Sequence, residues 1–383
     1  MRKEFLVFGS PLIEQEEIDE VVDCLKSGWI GTGPKVARFE QMFREYKDSR
    51  FALAVNSCTA ALHLSMLAIG VGPGDEVIVP AMTFAATANA VIHTGATPVL
   101  VDCKKDTMNI DPDDIRRKIT PKSKAVIPVH FAGRPCDMDA IMDIAKKHRL
   151  KVIEDCAHAI EAEYHGRKTG TIGDLGCFSF YVTKYIVTGE GGMVITGNEE
   201  YADKIKVLAL HGMSKDAWKR FSDDGYKHYQ VVYPGFKYNM MDIQAAIGIH
   251  QMQRIDAYWQ RRRDIWSRYN EAFIDLPLVT PAPAAENTRN AYHLYPVLLD
   301  SHKMNISRDS FLEALIKRNI GVGVHYIALH MHPYYRETYG YKPNDFPNAT
   351  QISGSTVSLP LSAKMNSSDL RDVIAAVTNL CSP

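Results

Sequence analysis

Short apolar, β-branched runs alternate with stretches of helical spacing along most of this chain. Glu14 to Lys26 places apolar residues at helical intervals and stops at Gly28, and Val36 to Tyr46 predicts a second amphipathic helix. The turn Gly31-Thr32-Gly33-Pro34 separates them. Beyond it, Phe51 to Val55, Glu76 to Val79, Thr97 to Val101, Ala125 to Val129, Val152 to Asp155 and Cys177 to Phe180 read as strands. Several are apolar throughout, which fits burial on both faces of a mostly parallel sheet with helices packed on each side. Functional groups then belong where strands end and loops begin.

The alternation breaks at Ser214 to Pro234, a polar, aromatic-rich stretch that reads as a surface insertion or lid. Met241 to Phe273 follows as one long helical pattern with the basic cluster Arg261-Arg262-Arg263, and Pro281-Ala282-Pro283 marks a boundary. The remainder predicts a small α/β lobe. The expected division is a large domain over residues 1–275 and a small C-terminal domain over 276–383.

Composition narrows the function more than the fold. With 383 residues, 46% hydrophobic and 23% charged, the chain has the usage of an ordinary globular protein, and disorder is excluded. Its 44 basic and 45 acidic residues leave a net charge of -1, so no global field attracts nucleic acid or an anionic membrane, and neither is an expected partner. No leader-like pattern spans Met1 to Leu12 and no apolar run is long enough to span a bilayer, so a cytoplasmic location is expected. Seven scattered cysteines without a CxxC pair are expected to be reduced.

Three segments carry candidate chemistry. Asn56-Ser57-Cys58-Thr59-Ala60-Ala61 follows a strand and opens a helix, where hydroxyls and free N–H groups suit an anion, although a plain N-cap has the same look. Val152-Ile153-Glu154-Asp155 ends a buried-looking strand in a carboxylate, with His158 three residues on; a helix cap and a core histidine would read the same way. The third, Gly176 to Lys184, runs into Gly189-Glu190-Gly191-Gly192 and puts a lysine between a buried strand and a glycine-rich turn. Desolvation or nearby positive charge there would lower its pKa and make the amine nucleophilic. Together they offer a phosphate cradle, a carboxylate for a pyridinium nitrogen and an amine for an aldehyde.

These segments, with Ser27-Gly28-Trp29-Ile30, Gly33-Pro34-Lys35, Gly74 to Ile78, Pro80 to Phe84, Gly235 to Asn239 and Gly323-Val324-His325-Tyr326, resemble the DegT/DnrJ/EryC1/StrS family of pyridoxal 5′-phosphate (PLP)-dependent sugar aminotransferases over nearly the whole chain. The resemblance implies PLP fold type I, a large seven-stranded sheet flanked by helices plus a smaller α/β domain. It implies that Lys184 is the Schiff-base lysine, that Asp155 pairs with the pyridine nitrogen, that His158 lies near the ring's phenolic oxygen and that Phe84 stacks on the ring. Thr59, Ala60 and Ser179 match phosphate-binding positions. Asn239 matches a residue reaching the phosphate from the neighbouring subunit of a homodimer, whose active site then lies at the subunit interface. His325 matches a position near the sugar entrance.

The implied reaction moves the amino group of L-glutamate to a keto sugar, expected to be a nucleotide-linked 4-keto sugar, for cell-surface polysaccharide or lipopolysaccharide synthesis. A keto form of an octulosonic acid is an alternative acceptor. A sugar dehydratase and a non-catalytic PLP sensor are the other readings; retention of Lys184 favours transamination over the dehydratases, which carry histidine there. Two positions depart from the family pattern: Tyr185 stands where asparagine is common, and Cys58 where glycine is frequent. The cluster His325, His330, His332 lacks the spacing of a helical metal site, so no metal is expected.

Overall fold

The computed structural model describes residues 2–214, 229–300, 303–304 and 306–381. Much of the stretch expected to form a lid, residues 215–228, lies outside the described residues.

Two helices open the chain, α1 (Gln15–Ser27) and α2 (Pro34–Lys47). Helix α1 begins with a capping box between Glu14 and Glu17 and stops at Gly28, whose φ of 79° is the left-handed conformation that glycine adopts freely. Helix α2 is capped from a distance: the buried carboxylate of Asp242 accepts hydrogen bonds from the N–H groups of Gly33, Lys35 and Val36. A Cβ at Gly33 would lie 2.8 Å from that carboxylate, which accounts for the glycine in Gly33-Pro34-Lys35.

The alternation follows as β1 (Phe51–Val55), α3 (Cys58–Ala68), β2 (Glu76–Pro80), α4 (Ala85–His93), β3 (Thr97–Val101), α5 (Pro112–Lys118), β4 (Ser123–Val126), α6 (Met138–His148) and β5 (Lys151–Asp155). Two-residue strands β6 (Glu163–Tyr164) and β7 (Arg167–Lys168) precede β8 (Leu175–Ser179), β9 (Gly192–Thr196) and α7 (Glu199–Ala209). The main sheet has seven strands in the order β1-β9-β8-β5-β4-β2-β3. All six expected strands are present, within a few residues at their ends. The seventh, β9, starts at Gly192, the last residue of the glycine-rich turn, and pairs antiparallel with both β1 and β8. The pairs β2–β3, β2–β4, β4–β5 and β5–β8 are parallel.

Successive side chains of these strands enter different cores, as the two-residue period of a strand requires. Leu53, Val55, Val77, Val79, Ile153 and Val194 join α3, α4 and α7 on one face. Ala52, Ala54, Phe178, Met193 and Ile195 join α2 and the helix after Met241, while Ile78, Val126 and Val152 meet α5 and α6. Burial on both faces explains why these strands are apolar throughout. Within the second core lies Lys47, wholly buried, its Nζ 2.8 Å from the Ile160 carbonyl and 4.9 Å from the Phe178 ring centroid. Burial pushes its pKa down to about 8.

The single helix expected over Met241 to Phe273 is two, α8 (Asp242–Gln253) and α9 (Ile255–Phe273). Arg254 breaks them with φ −102° and ψ 5°, and its guanidinium pairs with Glu14, Glu16 and Glu17 at the start of α1. Helix α8 packs against both α1 and α2. The C-terminal part of the chain contains β10 (Leu278–Val279), β12 (Tyr295–Leu299) and β13 (Thr356–Leu359) in one antiparallel sheet, while β11 (Thr288–Arg289) pairs with β6. Helices α10 (Arg308–Ile316) and α13 (Ser367–Cys381) pack on that sheet with one end of α9. Helices α11 (Pro333–Tyr339) and α12 (Pro347–Ser355) contribute Tyr335, Ala349 and Ile352 to the core of the large sheet. Among the described residues, no helix is long and apolar enough to cross a membrane.

Candidate active site

Strands β5 and β8 are neighbours in register, with Asp155 opposite Cys177, so the carboxylate ending β5 and Ser179 ending β8 emerge at one edge of the sheet. The loop after β8 carries Lys184. It is closed by the Phe180 N–H to Gly191 carbonyl bond (2.9 Å), and Gln251 of α8 grips Val187 through both its N–H (3.0 Å) and its carbonyl (3.1 Å). Strand β9 returns from this loop beside β1, which brings the glycine-rich turn against the loop opening α3. A Cβ at Gly192 would sit 2.5 Å from the Ser57 carbonyl carbon, so the two backbones touch directly.

Between these loops opens a cavity of 520 Å³, bordered by Ser57, Cys58, Thr59, Phe84, Asp155, His158, Ser179, Lys184, His325 and Tyr326. Seven of the nine expected site residues therefore share one space. The other two stand apart. Ala60 is buried, and its N–H is spent on the Ser57 hydroxyl that caps α3 (3.1 Å). Asn239 donates to the Thr32 hydroxyl (2.6 Å) and leaves a buried Oδ1 without a partner among the described residues.

Asp155 is 4% exposed, and burial raises its pKa against the pull of two hydrogen bonds, from the Ala157 N–H (3.1 Å) and the Thr87 hydroxyl (2.9 Å). Lys184 keeps part of its surface open to the cavity, yet desolvation still pushes its pKa down to about 8, while Cys58 and Asp155 pull the other way. The cause is burial, not a neighbouring cation. His158 is driven well below the usual histidine range by burial first, then by Lys184, His293 and His325; its Nε2 lies 3.1 Å from the Tyr326 hydroxyl. His325 is pushed down to about 3, mostly by burial, and holds the Ser358 hydroxyl at 2.9 Å. Phe84 is 61% exposed beside the cavity.

The expected cofactor fits this donor set. A buried carboxylate that burial makes costly to ionise gains from a cationic ring nitrogen placed against it. The start of an eleven-residue helix offers N–H groups with no carbonyl before them to a phosphate. An amine of lowered basicity faces the same space for an aldehyde. A metal does not fit as well. Among the described residues, one group of buried candidate ligands stands together, His130, Glu154 and Cys156. Glu154 already accepts from His130 and from the N–H groups of Gly170, Ile172 and Gly173. His325, His330 and His332 bond separately to Ser358, Thr350 and the Ile327 carbonyl.

Two side chains at the site, Thr87 against Asp155 and His293 against Lys184, belong to none of the segments that the sequence singles out. His293 Nε2 lies 3.4 Å from Lys184 Nζ, though His293 stands in no recognised motif. The signal of His293 in the sequence is a histidine among aromatics just before β12, which a core histidine shares.

Comparison with known proteins gives the family and the fold. The DegT/DnrJ/EryC1/StrS aminotransferase family model matches residues 11–378. The chain is 50% identical to the spore coat polysaccharide biosynthesis protein SpsC of Bacillus subtilis, over 99% of this chain and 98% of SpsC. Among solved structures, the PLP form of Spr1654 from Streptococcus pneumoniae superimposes with a TM-score of 0.92 at 33% identity, covering 98% of each chain. PseC of Helicobacter pylori, an aminotransferase involved in the biosynthesis of pseudoaminic acid, gives 0.91 at 29% identity, over 99% of each chain.

Proposed function

The chain belongs to the DegT/DnrJ/EryC1/StrS aminotransferase family and is a PLP-dependent enzyme of fold type I, and on that premise we propose that it carries the amino group of L-glutamate to a nucleotide-linked 4-keto sugar destined for a surface polysaccharide. The observation that carries the reading is the single cavity shared by Lys184, Asp155 and the start of α3. The part SpsC plays in spore coat polysaccharide biosynthesis supports the polysaccharide destination.

Bound PLP supplies an electrophilic aldehyde and a ring that absorbs carbanion charge. Lys184 Nζ binds that aldehyde, and a pKa near 8 leaves a usable fraction of the amine unprotonated at neutral pH. Once displaced by the amino donor, the same nitrogen would take the donor's α-proton and pass it to the former aldehyde carbon two bonds away, a distance its flexible stem spans. Asp155 holds the ring nitrogen protonated. Its bonds from Thr87 and Ala157 fix the carboxylate's orientation, so no reorganisation accompanies the reaction. The N–H groups of Cys58 and Thr59 and the hydroxyls of Thr59 and Ser179 take the phosphate. His158, kept neutral by burial and held by Tyr326, sits against the ring's oxygen side. Phe84, beside the cavity, stacks on the ring, and His325 meets the sugar. Asn239, turned to Thr32 and away from its own cavity, serves the phosphate of a partner subunit in a homodimer.

The test is a panel of keto sugars with L-glutamate as donor, read by mass spectrometry. A nucleotide-linked 4-keto sugar gaining one amino group is expected. Amination of a free keto-octulosonate alone would replace the acceptor. Loss of a hydroxyl without gain of nitrogen would replace the reaction.

A further inference from the structure

Lys184 has a fixed neighbour that the reaction outlined above does not use. His293 is 5% exposed and is anchored through its own N–H to the Ala132 carbonyl at 3.0 Å, a bond from the segment before β12 onto the turn after β4. Its ring lies 4.3 Å from the His158 ring at an interplanar angle of 35°, and the Tyr185 ring meets it edge-on at 4.7 Å and 85°. Tyr185 in turn carries the Arg262 guanidinium 3.6 Å from its ring centroid, and Arg262 bonds to Glu161 at 2.5 Å. Arg262 and Glu161 are fully buried. The tyrosine that departs from the family's common asparagine is therefore built into a packed wall.

This wall leaves the His293 ring one polar direction. Nδ1 is buried without a partner among the described residues, and Nε2 points at the lysine amine. Tyr185 and Arg262 also border a small space of 20 Å³ that reaches Lys184, so the lysine stem stands between that wall and the main cavity. Burial keeps the imidazole neutral, able to offer a lone pair or an N–H to an amine in either protonation state.

We propose that His293 is a positioning residue for Lys184: whenever Nζ is not bonded to the cofactor, Nε2 holds it, and the Tyr185–Arg262–Glu161 wall holds His293. A tethered amine sweeps a smaller arc, so it meets the donor's α-carbon in a productive pose more often. The proposal rests on the assignment of Lys184 as the cofactor lysine.

His293→Phe keeps the ring and loses both nitrogens, while His293→Gln loses the ring and keeps a polar group near the position of Nε2. If His293 only fills space, Phe is the better substitute; if it holds the amine, Gln is. Borohydride trapping with peptide mapping of all three proteins comes first, and a wild-type label away from Lys184 overturns the parent assignment instead. With the label at Lys184, the half-reaction with whichever amino donor bleaches the wild-type PLP band is followed by stopped-flow absorbance. His293→Phe should slow its maximal rate about tenfold, the worth of one hydrogen bond, with half-saturation unchanged. The pH midpoint for PLP uptake by apoprotein should also move. His293→Gln should recover most of the rate and the midpoint. If His293→Phe does not melt cooperatively, Gln is compared with Asn, whose shorter amide cannot reach Nζ, and Gln should again be faster. A Phe variant with native rate and midpoint, or a Gln variant no better than Phe or Asn, overturns the proposal.

Discussion

Lys47 and Lys184 are both stripped of ordinary basicity, each pushed down to about 8 by burial, and they stand in opposite kinds of surroundings. Lys47 is sealed in the core between α2 and the sheet, its ammonium committed to the Ile160 carbonyl and the Phe178 ring. Lys184 borders a cavity of 520 Å³, and among the described residues its Nζ meets an imidazole nitrogen at 3.4 Å. A lowered lysine pKa alone therefore does not mark a reactive amine. Open space in front of the nitrogen, with a carboxylate and a helix start around it, does.

The largest effect that could break this contrast comes from Lys184→Ala. It should reduce amino transfer by at least the ~10²–10⁴-fold of a lost general base, whereas Lys47→Met should leave borohydride trapping at Lys184 intact. A Lys184→Ala enzyme turning over at native rate would remove the distinction. Asp155→Asn comes next: it should still fold and bind PLP but lose roughly 10²-fold in kcat, as for other preorganised electrostatic contacts. Unchanged kinetics would detach the carboxylate from the chemistry.

The buried lysine gives a smaller signature, in stability. Because folding lowers the Lys47 pKa from 10.5 to about 8, the unfolded chain binds the extra proton between those values, and stability rises with pH across that window. Below pH 8 the cost of the buried charge is fully present; above 10.5 it is gone. Wild type should thus gain up to ~3 kcal/mol over Lys47→Met between pH 8 and 10.5, read from paired denaturant titrations of apoprotein. A constant difference would place the Lys47 shift elsewhere. The smallest effect belongs to Cys58→Ser. Burial outweighs Cys58 in setting the Lys184 pKa, so the pH midpoint of PLP uptake should stay near 8 and fall by less than about one unit.

The contrast also shows what could be read in advance. Lys184 was legible because a lysine seldom separates an apolar strand from a run of glycines, and Asp155 because it ends a strand apolar enough to be buried. Lys47 was not: at the end of an amphipathic helix it has the pattern of a solvated residue, and only tertiary packing seals it. Strand β9 escaped because Gly192 and its neighbours look like a turn, although here glycine serves the close approach to Ser57. The break at Arg254 escaped because its cause, three glutamates at α1, lies far away in sequence. His293 is invisible for the same reason, since its partners come from residues 132, 158, 184 and 185.

The contact between Gly192 and Ser57 bears on how this protein could be re-engineered. A library randomised at position 192 should return almost nothing but glycine, because any side chain would lever the floor of the phosphate loop away from the strand beneath it. Variation aimed at a new acceptor belongs instead on Tyr181, which borders the same cavity and remains 44% exposed. There a change of shape disturbs no backbone.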